Sequence, residues 1–386
     1  MRIAVVQHGD YPAAGRLIAS GQPEPYFAMG YSLRVLGDLL RGHPHLVVSL
    51  DAPAGREQDG DGLCVGVPKP GRITGLPETV TVLRWAHRVR RELRAFAPTH
   101  LFLRTGGLLA ARVLQFAVRR RLNTLAIFAG LFDRDGLHNR LVTPWLIRLL
   151  NDPCVRLVGN HRWPATQSMI DCGLDSAKAA AWDWPGVRHP RDHPVKQLPA
   201  DGAEIVYVGM VVAAKGVGDL VEAVRLLHER GRPVRLTVLG EGADLAALRD
   251  RAASWGGERV RFRGRVGNEE VFARMLGATL VCVPSRPEFK EGFPLSLTES
   301  LASRTPVLAS DHPVFTRALK DGEGVRFFRA GQPESLAAVA VEMLDDPPGY
   351  RQLSANTAEA FARLECPTTF GDLVVRWLGG LGSLGR

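Results

Sequence analysis

The sequence predicts an α/β protein made of two doubly wound parallel-sheet domains, and three observations carry that expectation. Short β-rich runs alternate with helical stripes along most of the chain, the signature of a parallel sheet with helices on both faces. The 386 residues suit two or three domains at about 150 residues each. A proline-rich break at Trp182–Ala200, which opens Trp182-Asp183-Trp184-Pro185 and continues through Pro190, Pro194 and Pro199, can be neither a continuous helix nor a central strand. The hinge is placed there.

The first half opens with a strand over Arg2–Gln7 that ends in His8-Gly9. His8–Pro25 reads as a long loop carrying Gly9, Gly15 and Gly21, and Tyr26–Arg41 as an amphipathic helix. Leu46–Leu50 is the next strand. Residues 51–79 are rich in Gly, Pro and Asp and read as loop, apart from a short strand at Leu63–Val67. Val82, Trp85, Val89, Leu93 and Phe96 recur at helical spacing, so Val80–Phe96 is a helix, and Pro98 ends it. Strand His100–Leu103, a Gly106-Gly107 turn, helix Leu108–Arg120 and strand Thr124–Phe128 follow. The second half repeats the pattern, with strands at Glu204–Val208, Arg235–Leu239, Val260–Arg263, Leu280–Val283, Pro306–Ala309 and Val325–Phe328. Helical spacing at Phe370, Leu373, Val374 and Trp377 predicts a last helix over Thr368–Leu378.

Composition and motifs narrow the function. At 45 % apolar and 23 % charged residues the chain can build a full core and lacks the signature of disorder. Its apolar stretches are too short to span a bilayer, and a strand stands where a secretion signal would, which points to the cytoplasm. The five cysteines are odd in number and without CxxC spacing, which argues against a disulfide framework and a structural zinc site. There is no repeat of solenoid length, no GxGxxG after the first strand, and no GxxxxGK[ST], HExxH or GxSxG motif. The net charge of +9 lies wholly in the first half: residues 1–190 hold 24 Lys and Arg against 15 Asp and Glu, residues 191–386 hold 25 against 25. Thr81–Arg121 alone has ten Arg and one Glu.

The richest segment runs Pro284-Ser-Arg-Pro-Glu-Phe-Lys-Glu291-Gly292-Phe293-Pro294-Leu295 and on to Glu299. A buried strand ends at Pro284, and a helix begins near Pro294, a favoured first-turn residue. The amides of Gly292, Phe293 and Leu295 at a helix N-terminus suit an anion such as a diphosphate. Carboxylates before and along that helix suit sugar and ribose hydroxyls. Taken alone, the pair reads more readily as an N-terminal helix acid at Glu291 and a solvated helical side chain at Glu299.

The stretch resembles the retaining glycosyltransferases of family 4, whose marker is Glu-x7-Glu around Gly-Phe. Tyr207-Val208-Gly209 with Lys215-Gly216, Leu236 to Gly242, Val260 to Val266, and Arg41-Gly42-His43 match in order. The resemblance implies a GT-B fold, two Rossmann-like domains facing across a cleft. Residues 1–185 would bind the acceptor, 186–366 the nucleoside diphosphate sugar, and 367–386 would pack back on the first domain. It implies that Lys215 meets the donor diphosphate, Glu299 the ribose, Glu291 the transferred sugar and the backbone at Arg265-Val266 the base. Gly209, Gly292, Phe293, Pro294 and Leu295 complete the expected donor site. Gly9, Gly15, Thr105, Gly130 and Asp133 are the expected acceptor-side residues. No metal and no cofactor beyond the donor substrate is expected, since Lys215 and helix amides neutralise the leaving charge.

The chain departs from that family in three ways. The Arg often found five residues before the Lys is Met210, and losing such a cation could cost about 2.7–4 kcal/mol of transition-state stabilisation unless Arg286 or Lys290 substitutes. The Gly-Gly pair of the first loop is replaced by dispersed glycines. The histidine expected after the fifth strand is Ala129 or Gly130, in a stretch where Asp133, Asp135 and His138 read as ordinary loop residues or as acceptor contacts. Arg84, Arg88 and Arg91 share a helix face with Arg90 and Arg94 beside them, which fits either peripheral contact with an anionic membrane through the Arg84–Arg121 region or a solvated charged surface. No nucleic-acid module accompanies them. Trp182 and Trp184 read as packing anchors. The function expected is retaining transfer of a sugar from a nucleoside diphosphate sugar to a glycan, glycolipid or small molecule. A non-catalytic GT-B partner subunit is the rival.

Overall fold

The computed structural model describes the chain apart from residues 22–23, 25–27, 73, 187, 201, 257 and 380–386. It divides into two compact units, Met1–Pro185 with Cys366–Arg386, and Gly186–Glu365.

In the first unit the described strands are β1 (Ile3–His8), β2 (His45–Leu50), β3 (Gly55–Asp59), β4 (Gly62–Val67), β5 (His100–Arg104), β6 (Asn123–Phe128), β7 (Val155–His161) and β8 (Ala179–Trp182). They form one sheet in the order β3-β4-β2-β1-β5-β6-β7-β8. Every neighbouring pair is parallel except β3 with β4. Ile3–Val6 is wholly buried, as an inner strand covered on both faces must be. The helices of this unit are α1 (Tyr11–Ala19), α2 (Met29–Leu40), α3 (Glu78–Phe96), α4 (Gly107–Arg120), α5 (Gly136–Leu150) and α6 (Arg162–Asp171). On one face α3 and α4 bring Trp85, Val89, Leu93, Val113 and Leu114 against Val6, Val48 and Leu103. On the other, α2 brings Leu36 and Leu39 against Ile3, Val5 and Phe102.

The second unit holds β9 (Glu204–Val208), α7 (Val217–Glu229), β10 (Arg235–Leu239), α8 (Leu245–Gly256), β11 (Val260–Gly264), α9 (Asn268–Gly277), β12 (Leu280–Val283), α10 (Leu295–Ala302), β13 (Val307–Ser310), α11 (Pro313–Ala318), β14 (Val325–Phe328), α12 (Pro333–Asp345) and α13 (Pro347–Leu364). Its sheet runs β11-β10-β9-β12-β13-β14 and is parallel throughout. Val217, Leu220, Val221, Val224 and Leu227 of α7 recur three and four apart and are fully buried against Ile205, Tyr207 and Leu236. The chain then re-enters the first unit with α14 (Phe370–Trp377), which a capping box of Thr369 and Asp372 opens. Phe370, Leu373, Val374 and Trp377 join the core beneath β1 and β5.

Three local expectations need correction. Residues 11–19 are a helix, not loop: Asp10 accepts the Ala13 amide at 3.1 Å and Pro12 sits in the first turn, a start signal stronger than the breaking effect of Gly15. Gln22, Pro23 and Pro25 of that expected loop, and Tyr26 and Phe27 of the expected next helix, lie outside the described residues. Residues 51–79 contain a second strand, β3, which the Gly60-Asp61 turn folds back antiparallel onto β4. Its sequence Gly-Arg-Glu-Gln-Asp is almost wholly exposed at the sheet edge, so no apolar alternation announces it. Pro294 is the N-cap of α10 and not a first-turn residue. Trp182 is 1 % exposed and stacks edge-on with Trp184 at 5.0 Å and against Phe370 at 5.5 Å, a packing anchor.

Candidate functional site

In doubly wound sheets ligands bind beyond the carboxyl ends of the strands, where the strand order reverses. In the second unit that reversal falls between β9 and β12. The strand ends close tightly there. Gly240, after β10, donates to the Gly264 carbonyl at 2.8 Å, and a Cβ on it would stand 1.8 Å from the Gly209 carbonyl oxygen. Gly216 has φ +68°, and a Cβ on it would lie 2.1 Å from the Pro284 oxygen. Only glycine fits either place.

Lys215 ends a single 3-10 turn, Ala213–Lys215, ahead of α7, and Glu291 lies between β12 and α10. The two meet across the reversal: Lys215 Nζ is 2.5 Å from Glu291 Oε1, and the Ser285 hydroxyl donates to the same oxygen at 2.5 Å. Both side chains are largely buried, 14 % and 6 % exposed. The ammonium also sits 4.2 Å from the centroid of the Phe289 ring. His312 fixes this loop. Its Nδ1 accepts the Val314 amide at 3.2 Å, which leaves Nε2 carrying the hydrogen donated to the Phe289 carbonyl at 3.0 Å. Burial pushes the His312 imidazole below its ordinary pKa, against the opposing pull of that carbonyl and of Glu291.

Glu299, on α10, is not a solvated helical carboxylate. Its Oε1 takes Arg188 Nη1 at 3.0 Å, and Arg188 reaches Glu269 at 2.6 Å while its guanidinium lies 4.2 Å from the Phe272 centroid. Nothing in the sequence singled out Arg188, because only the fold brings it to a helix 111 residues away. Gly209 follows β9, half-buried Val266 lies between β11 and α9, and Gly292, buried Phe293, Pro294 and Leu295 lead into α10. Arg286, one of the two substitutes envisaged for the cation missing at Met210, is gripped by Asp219 through two hydrogen bonds of 2.9 and 2.7 Å. The Asp219 carboxylate raises the Arg286 pKa further, against its partial burial. Met210 is 53 % exposed.

In the first unit the corresponding reversal falls between β1 and β5. A cavity of about 600 Å³ opens there, and Gly9, Thr105, Gly130 and Asp133 all line it. Gly15 does not; it lies inside α1. Asp133 Oδ1 accepts the Asp135 amide at 2.9 Å and Asn139 Nδ2 at 2.6 Å, whereas Asp135 and His138 are exposed and do not line the cavity. On α3, Arg84, Arg88, Arg91 and Arg94 are exposed, and Glu92 is buried in ion pairs with Arg56 and Arg91. Burial, then the charges of Arg94, Arg112 and Arg119, push the Arg90 pKa down. Among the described residues no three His, Cys, Asp or Glu side chains converge as a metal site would require, and no helix is long and apolar enough to cross a membrane.

Each unit is a Rossmann-like α/β domain, and the fold class is GT-B. Comparison with known proteins agrees on that level. Residues 189–360 match the family model for glycosyl transferases group 1. The chain is 33 % identical over 170 residues to a phosphatidyl-myo-inositol mannosyltransferase of Mycobacterium leprae, covering 43 % of this chain and 44 % of that protein. It is 25 % identical over 337 residues to an alpha-D-kanosaminyltransferase of Streptomyces kanamyceticus, covering 86 % and 78 %. The chain thus spans less than half the length of the mannosyltransferase it matches. In three dimensions it resembles Anabaena HepE in complex with UDP, with a TM-score of 0.65 over 99 % of this chain and 100 % of that one at 13 % identity, a likeness of fold.

Proposed function

We propose that the chain is a glycosyltransferase that moves a sugar from a nucleoside diphosphate sugar to an acceptor hydroxyl with retention of configuration. The observation that carries this reading is the Lys215–Glu291–Ser285 constellation across the reversal of the second sheet, inside the stretch that matches glycosyl transferases group 1. Of the ammonium's three donor hydrogens one is engaged by Glu291, which leaves capacity for diphosphate oxygens. As the glycosidic bond breaks, the leaving diphosphate gains negative charge, and a preorganised cation stabilises it without reorganisation. Glu291 takes hydroxyls of the transferred sugar and Glu299 the ribose diol, each exchanging its present ion pair for a hydroxyl partner. The backbone near Val266 meets the base, and no metal is required. The relatives' names, a mannosyltransferase and a kanosaminyltransferase, support sugar transfer. The exposed arginine face of α3 supports peripheral attraction to anionic headgroups as one route to a glycolipid acceptor.

The exposed Met210, with Arg286 tied to Asp219, favours a second reading, a partner subunit that kept the donor site without the catalytic charge. Calorimetric titration with UDP, GDP and ADP, beside donor-sugar turnover, tests both. Selective binding of one nucleotide, weakened at least tenfold in Glu299→Ala, with turnover of its sugar donor, is the expected result. Binding without turnover favours the partner subunit, and binding of none refutes the donor site.

A further inference from the structure

The first unit carries a hydrogen-bonded chain that the donor chemistry leaves unused. His8 ends β1, Asp51 follows β2 and Thr105 follows β5, three adjacent strands at the reversal of that sheet. His8 Nδ1 is 2.9 Å from Asp51 Oδ2, and Nε2 is 2.9 Å from Thr105 Oγ1. A carboxylate only accepts, so Nδ1 carries the hydrogen, and in the neutral ring Nε2 presents a lone pair to the Thr105 hydroxyl. Asp51 reaches this place with φ +64°, a left-handed backbone that non-glycine residues adopt at a price in strain and that clusters at working sites. The Trp85 ring meets the imidazole edge-on at 5.9 Å and limits its rotation.

His8 and Thr105 line the cavity of about 600 Å³, together with Asp133 and the apolar side chains of Phe128 and Leu146. Nε2 and the Asp133 carboxylate are both acceptors, so a hydroxyl, which can donate to them, suits this part of the cavity. Phe128 and Leu146 offer the rest of it an apolar wall.

We infer that His8, oriented by Asp51, is the residue that takes a hydroxyl of the acceptor, and that the acceptor joins a polyol or sugar head to an apolar part. The incoming hydroxyl replaces that of Thr105 on Nε2. Asp51 is a positioning residue: it holds the ring in the tautomer whose Nε2 accepts. The word acceptor rests on the glycosyltransferase reading; the binding site does not.

The test uses the whole chain labelled with 15N in its histidine rings. Octyl β-D-glucoside below its micellar concentration is the probe, with D-glucose as the arm that lacks the apolar part. The His8 ring signal, identified by its loss in His8→Gln, is expected in the Nδ1–H form, to shift toward the other tautomer in Asp51→Ala, and to move on adding the glucoside. The glucoside is expected to bind at least tenfold more weakly to His8→Gln and at least tenfold more tightly than glucose to the native chain. A native His8 in the Nε2–H form, a ring signal that the glucoside leaves still, equal binding to His8→Gln, or no glucoside binding overturns the inference. Equal binding of glucose and glucoside overturns the apolar half of it. The ring signals of His45 and His161, both buried in the first unit, are expected unmoved in His8→Gln and are the control for its folding, while nucleotide titration of both proteins tests the donor reading. If neither protein binds nucleotide, the donor reading has failed, and the glucoside arm still decides this one.

Discussion

Lys215 and Glu291 are predicted to be energetically coupled, and a double-mutant cycle measures by how much. Breaking a buried ion pair by deleting one partner costs about 3–5 kcal/mol. Lys215→Met leaves Glu291 buried but still bonded to Ser285 at 2.5 Å, so the low end applies, about 3 kcal/mol. Glu291→Gln leaves an ammonium that keeps its place over Phe289 and some access to water, a loss of about 2 kcal/mol. The double variant removes both charges and leaves no unpaired ion, so it should lose about 2 kcal/mol, well below the sum of about 5. The expected coupling is therefore about 3 kcal/mol. Hydrogen-exchange mass spectrometry on peptides covering β9 and β12 reads opening free energies within the second unit, which a global melt of a two-unit chain would blur. Losses that add to within about 0.5 kcal/mol would refute a buried ion pair at this site.

Two further outcomes follow from the packing. Gly240→Ala places a Cβ 1.8 Å from the Gly209 carbonyl oxygen at a φ of +146°; it should destabilise the second unit by more than about 4 kcal/mol, and native-like hydrogen-exchange protection of peptides covering β9 and β10 would contradict the close approach. Burial pushes the Lys196 ammonium down to about 8 from an ordinary 10.5. Between those values the unfolded chain binds the proton and the folded chain does not, so this group's contribution to stability rises with pH from about 8 to 10.5 and is flat below. Urea midpoints compared with Lys196→Met across that range should show the native chain gaining relative to the variant, and parallel curves would sink the claim.

What the sequence made legible follows from how local each signal is. The strands at Glu204–Val208, Arg235–Leu239 and Leu280–Val283 have the same bounds in the structure as in the sequence, because inner parallel strands are short apolar runs bounded by turn residues; the edge strand Val325–Phe328 matches as well. Helix α1 has only Asp10 and Pro12 to mark its start in the sequence, and the glycines around it read as loop formers. Strand β3 leaves no signal in the sequence because an exposed edge strand owes its state to its partner. In the second unit the Glu-x7-Glu spacing points to Glu291 and Glu299, but their partners Ser285 and Arg188 carry no marker. His8, Asp51 and Thr105 stand 43 and 97 positions apart in the pairs they form, and no spacing rule links them. Only the order of strands in the sheet makes them neighbours.

The return of α14 to the first unit means that this unit is interrupted in sequence by the whole of the second. Phe370, Leu373, Val374 and Trp377 close a face that Ile3, Val5 and Phe102 leave apolar. On the ribosome the first-made half therefore waits with that face open while 180 further residues are synthesised, although the second unit can mature as soon as it emerges. The half that starts first finishes last, and during that interval it is the part of the chain most exposed to chaperones.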